Sequence, residues 1–401
     1  MSIAFYLFVP FYFLVFSFYG IFNQSFAPKK YHFDGKYGLY VSIEGEYCQV
    51  HWLTSVAEEG YLNTQFGESE KVSYSTPKST IHKVQIPLID QSVNLDFGSP
   101  TGGHGEIKII PSPDRDIFEF KGVDSVYVLG DTHGNYDEVV QILQNSKLID
   151  ETHQWIGGNA HLVFLGDVLD RGMDALRLMW FIYELEQSAF SNGGQIHLIL
   201  GNHEIMVMSN DLRYVSAKEQ HLANMHQVSY QQLYHPTRSI LGRWLSTKPV
   251  ALKIDGILFA HAGIIMESSL KSFNDKVYEY TQTPIFSHLM EQPFDTVSFS
   301  QNEREEQKDY LYNSFGPLWF RGYVETDTLG SYLNAVLLNY RAKLHVVGHT
   351  TVPNISSLYN GKLIATNVPR AGSEMLLLTK NKRNKYHRFG INLLGDFAKL
   401  Q

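Results

Sequence analysis

The chain has 401 residues, of which 44% are hydrophobic and 18% are charged, and its formal net charge is −8 at pH 7. A hydrophobic fraction of this size can fill a sizeable core, so the composition excludes a disordered chain. The negative charge argues against a nucleic-acid-binding surface, which needs clustered lysine and arginine. The single cysteine, Cys48, excludes an internal disulfide framework.

The first predicted element is an apolar segment, residues 3–22, that carries no charge. Twenty such residues are long enough to span a bilayer or to act as the apolar part of a secretion signal. Ser25 and Ala27 supply small residues before a cleavage site, whereas Lys29 and Lys30 would favour a cytoplasmic C-terminal side. We expect residues 1–28 to be a signal peptide or a membrane anchor, and the protein to be periplasmic or extracellular. The alternative is a buried core helix.

Residues 29–115 are predicted to form a small all-β domain. Short β-branched or aromatic runs alternate with turns every eight to twelve residues, which is typical of an antiparallel sandwich. The stretch SPDRD, residues 112–116, marks the predicted boundary. Two roles stay open for this domain, binding a partner or bracing the domain that follows, and we favour the brace.

From residue 116 to residue 401 the pattern becomes strand, turn and helix, as expected of a catalytic α/β domain. Three successive β-α units predict a largely parallel sheet with helices on its faces. Two polar stretches, residues 209–248 and 281–313, interrupt this pattern. They are predicted to be cap insertions over the carboxyl edge of the sheet.

Five apolar strands each end in a glycine or alanine followed by an oxygen or nitrogen donor. The motifs are GDTHG from Gly130, GDVLDRG from Gly166, GNHE from Gly201, HAG from His261 and GHT from Gly348. Each motif alone has a structural explanation, because an aspartate after a strand commonly caps a helix and a lone histidine often belongs to the core. Together they predict one site, since the carboxyl ends of parallel strands lie along one edge of the sheet.

Carboxylate, imidazole and carboxamide donors without a thiolate suit two divalent metal ions such as Mn, Fe or Zn. A bridging carboxylate would hold the ions about 3.5–4 Å apart, where they clamp the attacking and leaving oxygens and lower the pKa of a bound water toward about 7. This chemistry suits the hydrolysis of phosphate esters. Guanidinium groups then bind the phosphoryl oxygens, and Arg171 and Arg321 are the candidates.

These motifs resemble, in order and spacing, those of the phosphoprotein phosphatase branch of the calcineurin-like metallophosphoesterases, over about residues 125–366. PLWFRGY around Arg321 is similar to the Shewanella-like subgroup, which includes bacterial cold-active phosphatases that act on phosphotyrosine. The resemblance implies a β-sandwich flanked by helices. It also implies a phosphomonoesterase in which a metal-bound hydroxide attacks a phosphorylated protein or peptide, on tyrosine or serine/threonine, or a small phosphomonoester.

The resemblance further implies a role for each residue. The implied metal ligands are Asp131, His133, Asp167, Asn202, His261 and His349. The first two would bind one ion, the last three would bind the other, and Asp167 would bridge them. His203 would be the general acid, oriented by Asp170, although a further metal ligand is the alternative role for His203. Arg171 and Arg321, with the amide of Asn202, would bind the phosphoryl group.

The sequence departs from the family pattern after the last histidine motif. Residues 363–374 contain neither the tyrosine of the eukaryotic signalling enzymes nor the Asp-Gly-Met-Ser-type stretch of the Shewanella-like subgroup. We expect Asn367 and Arg370 to face the substrate instead. Glu204 is predicted to cap the turn that follows it.

Two other functions stay open. Related bacterial enzymes that share the first motifs hydrolyse dinucleotide polyphosphates such as diadenosine tetraphosphate, but the predicted export argues against a cytoplasmic substrate. A non-catalytic metal-binding or adhesion protein is the third possibility. The complete set of donors argues against it, because inactive relatives of enzymes usually lose a ligand or the acid.

Overall fold

The computed structural model describes residues 38–88, 90–265, 268–382 and 385–400. The apolar segment at residues 3–22 lies outside these ranges, as does the predicted signal or anchor at residues 1–28. Within the ranges, no helix combines the length and the apolar character needed to cross a bilayer.

Alternating apolar residues near the start of the described chain form an antiparallel sheet. Its strands are β1 (Tyr40–Glu44), β2 (Tyr47–Phe66), β3 (Val72–Pro87), β4 (Val93–Gly98) and β5 (Gly105–Ile109). They form one sheet in the order β1-β2-β4-β5, with β3 also paired to β2. The predicted sandwich is thus one continuous sheet, because β2 is 20 residues long and pairs with β1 near its start and with β4 near its end.

The remaining described strands form two six-stranded sheets. They are β6 (Glu119–Phe120), β7 (Ser125–Leu129), β8 (His161–Phe164), β9 (Gln195–Leu198), β10 (Ala251–Ile254), β11 (Ile257–Ala260), β12 (Leu344–Val347), β13 (Ser356–Leu358), β14 (Leu363–Ala365), β15 (Glu374–Lys380), β16 (Tyr386–Asn392) and β17 (Phe397–Lys399). One sheet has the order β13-β14-β12-β11-β10-β6, and the other has the order β17-β16-β15-β7-β8-β9.

The predicted parallel β-α units account for only part of these sheets. Strands β7, β8 and β9 are parallel, as expected, since helical crossovers connect them. Strands β15, β16 and β17 are antiparallel, and β15 pairs antiparallel to β7. Short connections allow only this orientation between consecutive strands. This sheet is therefore mixed rather than largely parallel, and the other sheet is mixed as well, with three parallel and two antiparallel pairings.

Apolar side chains from both six-stranded sheets share one core. This core includes Val126, Val128, Val163, Leu252, Phe259, Leu344, Val346, Ile364, Leu376 and Leu378. The two sheets therefore pack face to face. Helices pack against the outer faces of the two sheets, for example α2 (Ala175–Ser191) against β9 and α7 (Leu270–Thr281) against β10. The predicted β-sandwich flanked by helices is therefore confirmed.

The described helices are α1 (Tyr136–Asn145), α2 (Ala175–Ser191), α3 (Asn202–Met208), α4 (Ala217–Met225), α5 (Tyr230–Leu233), α6 (Ile240–Ser246), α7 (Leu270–Thr281), α8 (Gln301–Leu311), α9 (Gly322–Glu325) and α10 (Gly330–Asn339). Helices α4, α5 and α6 lie in the first predicted insertion, and α8 lies in the second. The first insertion contacts the N-terminal sheet, since the Ile43 N–H donates to the Arg238 carbonyl at 2.8 Å. The Trp180 indole on α2 donates to the Leu39 carbonyl at 3.0 Å.

Candidate metal centre

The predicted donors lie together at one edge of the sandwich. Asp131 and His133 follow β7, and Asp167 follows β8. Asn202 begins α3 shortly after β9, while His261 follows β11 and His349 follows β12. All six predicted metal ligands, Asp131, His133, Asp167, Asn202, His261 and His349, are buried. The structure therefore brings together side chains that are separated by up to 218 positions in the chain.

Asp167 lies between two groups of donor atoms. Its Oδ2 is 3.9 Å from His133 Nε2 on one side and 3.3 Å from His261 Nε2 on the other. The His133 ring also approaches Asp131, with 3.8 Å between Nε2 and Oδ2. The donor atoms of His133, Asp167 and His203 form one compact group, and those of Asp167, His261 and His349 form a second. A carboxylate shared by two such groups has the position that a bridging ligand needs.

The second group is closed by short contacts around His261. Its Nε2 is 2.9 Å from Asn202 Oδ1 and 3.0 Å from His349 Nδ1. The amide nitrogen of Asn202 points toward the Met206 sulfur at 3.6 Å, so the amide oxygen is the atom directed at the cluster. Oxygen and imidazole donors this close suit a shared divalent cation.

Each histidine ligand has one ring nitrogen fixed by a main-chain carbonyl. His133 Nδ1 is 3.0 Å from the Leu169 oxygen, and His261 Nδ1 is 2.8 Å from the Leu165 oxygen. His349 uses Nε2 instead, at 3.2 Å from the Trp319 oxygen. The other nitrogen of each ring faces the cluster, which is the arrangement of metal-binding imidazoles.

One buried nitrogen indicates most directly that a cation belongs here. His133 Nε2 is buried and has no hydrogen-bond partner among the described residues. A buried polar atom without a partner is costly, and a metal ion would satisfy its lone pair. The residues present thus fit divalent cations.

The pKa shifts in the cluster reflect carboxylates and imidazoles that are buried close together. Burial, together with the neighbouring Asp167 carboxylate, raises the pKa of Asp131. Burial also opposes the charge of Asp167, but the imidazoles of His261 and His203 outweigh it and hold the Asp167 pKa well below its usual value. Burial and His261 lower the pKa of His349 to about 2, so its ring is neutral and able to bind a metal.

Several site residues adopt the left-handed backbone conformation, which is rare for residues other than glycine. The φ angles are 43° at His133, 52° at Asp167, 67° at Asp170, 64° at Arg171 and 62° at His349. Each such residue costs about 1–3 kcal/mol, and residues of this kind cluster where function constrains the chain. Three of these residues are predicted metal ligands, so the strained backbone lies where the donors are.

Two motif glycines are required because carboxylates pass directly against the backbone. A Cβ atom on Gly201 would lie 2.3 Å from Asp167 Oδ1, and one on Gly348 would lie 2.6 Å from Asp131 Oδ1. The N–H of His203, two residues after Gly201, and the N–H of His349, directly after Gly348, donate to these oxygens at 3.0 and 2.8 Å. Each glycine therefore leaves room for a carboxylate from another strand that the following residues hold.

Glu204 holds the Asp167 loop rather than the turn that follows it. Its fully buried carboxylate accepts main-chain N–H groups of Asp167, Val168 and Leu169 at 2.8–3.0 Å. It also accepts the N–H of Gly201 at 2.8 Å, at the start of its own helix. Four hydrogen bonds from one carboxylate thus connect the second and third motifs. Nothing in the spacing of the motifs indicates this long-range role.

His203 and Asp170 form a pair beside the metal ligands. His203 Nδ1 lies 2.7 Å from Asp170 Oδ2, and Nε2 lies 3.1 Å from the Arg171 guanidinium. Burial disfavours the charged ring, but the Asp167 and Asp170 carboxylates outweigh it and raise the His203 pKa. Nδ1 is thus held by a carboxylate, and the Arg171 guanidinium, which can only donate, donates to Nε2.

The two predicted arginines lie on different sides of the cluster. The exposed Arg171 contacts His203, whereas the half-buried Arg321 donates to the His349 carbonyl at 2.8 Å. The expectation for Arg370 is not supported, because its exposed guanidinium pairs with Glu138 at 3.0 Å. Asn367 contacts a predicted ligand instead of facing a substrate, since its amide donates to Asp131 Oδ2 at 2.7 Å.

Comparison with known proteins agrees with this arrangement. The calcineurin-like phosphoesterase family model matches residues 125–353. Shewanella-like protein phosphatase 1 of Plasmodium berghei is 31% identical over 238 residues, which cover 57% of this chain and 62% of that protein. A symmetrical bis(5'-nucleosyl)-tetraphosphatase of Vibrio cholerae is 26% identical over 42% of this chain and 56% of its own length. The chain thus spans less than two thirds of these relatives.

A solved structure extends the similarity to most of the chain. The cold-active protein-tyrosine phosphatase of a psychrophilic Shewanella species superposes with a TM-score of 0.69 at 25% identity. The match covers 90% of this chain and 98% of the other. Together with the family model and the geometry of the donors, these similarities show that the chain belongs to the calcineurin-like phosphoesterase family.

Proposed function

We propose that the protein is a phosphomonoesterase that uses two divalent metal ions and acts on phosphorylated proteins or peptides. The observation that carries this proposal is the shared position of Asp167 between two groups of buried donors, with the His203–Asp170 pair beside them. When bound, the ions would neutralise charge on the phosphoryl group and lower the pKa of a coordinated water. Mn, Fe and Zn all suit the donors.

The residues around the metal centre have separate tasks in this reaction. In this reaction Arg171 turns from His203 Nε2 to the phosphoryl group, so that Nε2 can hold a proton and transfer it to the leaving oxygen, while Asp170 fixes the ring through Nδ1. Arg171 and Arg321 bind the phosphoryl oxygens, because guanidinium groups match their geometry. Asn367 and Glu204 bind no substrate; they hold Asp131 and the Asp167 loop in place.

A phosphoprotein substrate is supported by the names of the relatives. The Plasmodium relative is named a protein phosphatase, and the Shewanella structure is that of a protein-tyrosine phosphatase. Dinucleotide polyphosphate hydrolysis is the alternative, and the Vibrio relative that would support it covers a smaller part of the chain at lower identity. We therefore place phosphotyrosine first and phosphoserine or phosphothreonine second.

The test is a substrate panel with the purified full chain loaded with Mn²⁺. Phosphate release is measured from p-nitrophenyl phosphate, from phosphotyrosine and phosphoserine peptides, and from diadenosine tetraphosphate. We expect kcat/KM to be highest for a phosphopeptide. A preference for diadenosine tetraphosphate would favour the alternative, and inactivity on every ester with Mn²⁺, Fe²⁺ and Zn²⁺ would reject both.

Export of the protein is a separate proposal that depends on residues 3–22. Fractionation of cells that express the full chain, beside a variant without residues 1–28, tests it. We expect the full chain outside the cytoplasm or in the membrane fraction, and the shortened variant in the cytoplasm. Cytoplasmic full chain would contradict the proposal.

A further inference from the structure

Tyr214 lies at the rim of the metal centre, directly beside the proposed acid. Its ring centroid is 5.3 Å from that of His203, and the two rings meet edge to face at 61°. The side chain is 47% exposed, in contrast to the buried residues around it. An aromatic surface therefore faces solvent next to the group that protonates the leaving oxygen.

The position of this tyrosine is fixed by the active-site loop. Its carbonyl accepts the N–H of Arg171 at 2.9 Å, so its backbone is tied to the loop that carries the phosphate-binding arginine. The guanidinium groups of Arg171 and Arg213 lie 5.9 and 5.7 Å from the ring centroid. Arg213 is itself fixed, because it makes two 2.7 Å hydrogen bonds to the buried Asp211 carboxylate.

Other aromatic residues near the metal centre are engaged with the protein. The Trp319 ring meets His349 edge to face, with 6.1 Å between the centroids. Tyr312 stacks on Trp319 at 5.7 Å, and its hydroxyl is bonded to Ser209 at 2.7 Å. Tyr214 is the more exposed ring, and it adjoins the acid rather than a metal ligand.

We propose that Tyr214 determines specificity by contacting the aromatic ring of aryl phosphates. This inference rests on the proposed function, in which His203 donates a proton to the leaving oxygen. The carbon that bears this oxygen must then lie beside the His203 ring. A phenyl ring attached there lies within the 4.5–7 Å range over which aromatic rings attract each other. The short side chain of phosphoserine does not extend far enough to make this contact.

The experiment compares phosphotyrosine and phosphoserine forms of one peptide. The ratio of their kcat/KM values is measured for the wild type, for Tyr214→Ala and Tyr214→Phe, and for the control Tyr47→Ala. Tyr47 on β2 is 46% exposed, which matches Tyr214, and belongs to the N-terminal sheet. Using the ratio removes any general effect of the substitution on metal binding or folding.

We expect Tyr214→Ala to lower the phosphotyrosine to phosphoserine ratio by about 2- to 10-fold, the effect of losing one aromatic pair. Tyr214→Phe and Tyr47→Ala should keep the wild-type ratio. An unchanged ratio in an active Tyr214→Ala enzyme would overturn the inference alone. Losses by the same factor on both peptides are one form of this result, because they leave the ratio unchanged and show a structural role. A wild type that hydrolyses neither peptide would overturn the proposed function and this inference together.

Discussion

Two clusters of charged side chains, one around the buried Lys248 and one around the buried Asp167, differ in where their positive charge comes from. In the first, the Lys248 side chain is 0% exposed and its Nζ lies 3.1 Å from Asp116 and 2.7 Å from Glu186. In the second, the metal centre, Asp131 and Asp167 are buried, but no lysine or arginine of the described chain forms an ion pair with either.

The comparison separates a structural charge cluster from a functional one. Burying a charge is costly unless it is paired, so the Lys248 cluster supplies its own cation and is complete within the chain. Within the described chain, the ion-pair partners of the metal-centre carboxylates Asp131 and Asp167 are histidines, and His133 Nε2 has no hydrogen-bond partner. Buried carboxylates without a lysine or arginine partner fit a site that binds a cation.

The largest effect is expected from Asp167→Asn. The Asp167 carboxylate belongs to both donor groups, so its loss would weaken the binding of both ions. Because such ions contribute several kcal/mol to the transition state, kcat/KM should fall by about 10⁴-fold. The Asp131→Asn variant, which removes a predicted ligand of one ion only, is the comparison, and a milder loss for Asp167→Asn than for Asp131→Asn would contradict the bridging role.

Breaking the other cluster should affect stability and leave metal binding alone. Lys248→Met leaves the partly exposed Asp116 and Glu186 carboxylates without their cation, which should lower the free energy of unfolding by about 1–3 kcal/mol. Urea denaturation measures this loss, and Lys248→Arg serves as the charge-preserving control. Metal content per folded chain should equal that of the wild type. Loss of metal from folded Lys248→Met would show that the two clusters are coupled.

Replacing His203, the proposed general acid, should slow turnover without changing metal binding. His203→Ala is expected to lower kcat/KM for a phosphoserine peptide by about 100- to 1000-fold, the usual contribution of a general acid. The loss should be far smaller for p-nitrophenyl phosphate, because its leaving group needs no proton. Metal content tests the alternative, in which His203 is a metal ligand. If the His203→Ala protein binds fewer ions than the wild type, His203 is a ligand and not the acid.

The smallest effect is expected from Asn367→Ala. Its amide donates to Asp131 Oδ2, so it supports a ligand without contacting the ion itself. Loss of such support typically costs about 10- to 100-fold in metal affinity. Competition with a chelator measures this affinity, and Arg370→Ala, on the same loop but paired with Glu138, is the matched control. Equal affinities in the two variants would contradict the role of Asn367.

The convergence of the donors could be predicted from sequence because it depends on local patterns. An apolar strand, a glycine and a polar residue identify a strand end, and parallel strands place such ends on one edge. Asn367 satisfies nearly the same rule, since it follows β14 by two residues, but no glycine precedes it. The local pattern therefore does not indicate that Asn367 supports Asp131.

The missed features depend on contacts between distant residues. Local alternation predicts the strands of the N-terminal sheet, but it cannot show that the 20-residue β2 pairs with both β1 and β4. In the same way, nothing next to Glu204 in the sequence indicates that its carboxylate holds the loop of Asp167. Tyr214 lies in a polar stretch without periodicity, and only the fold brings its ring to His203.

Metal stoichiometry of the wild-type chain tests the central claim most directly. The purified protein is stripped with a chelator, loaded with Mn²⁺, freed of excess metal, and measured by elemental analysis beside Asp167→Asn. A pair of buried donor groups that share Asp167 predicts two ions per wild-type chain and fewer than one per Asp167→Asn chain. A wild type that binds one ion or none, or an Asp167→Asn variant that retains two, would contradict the account.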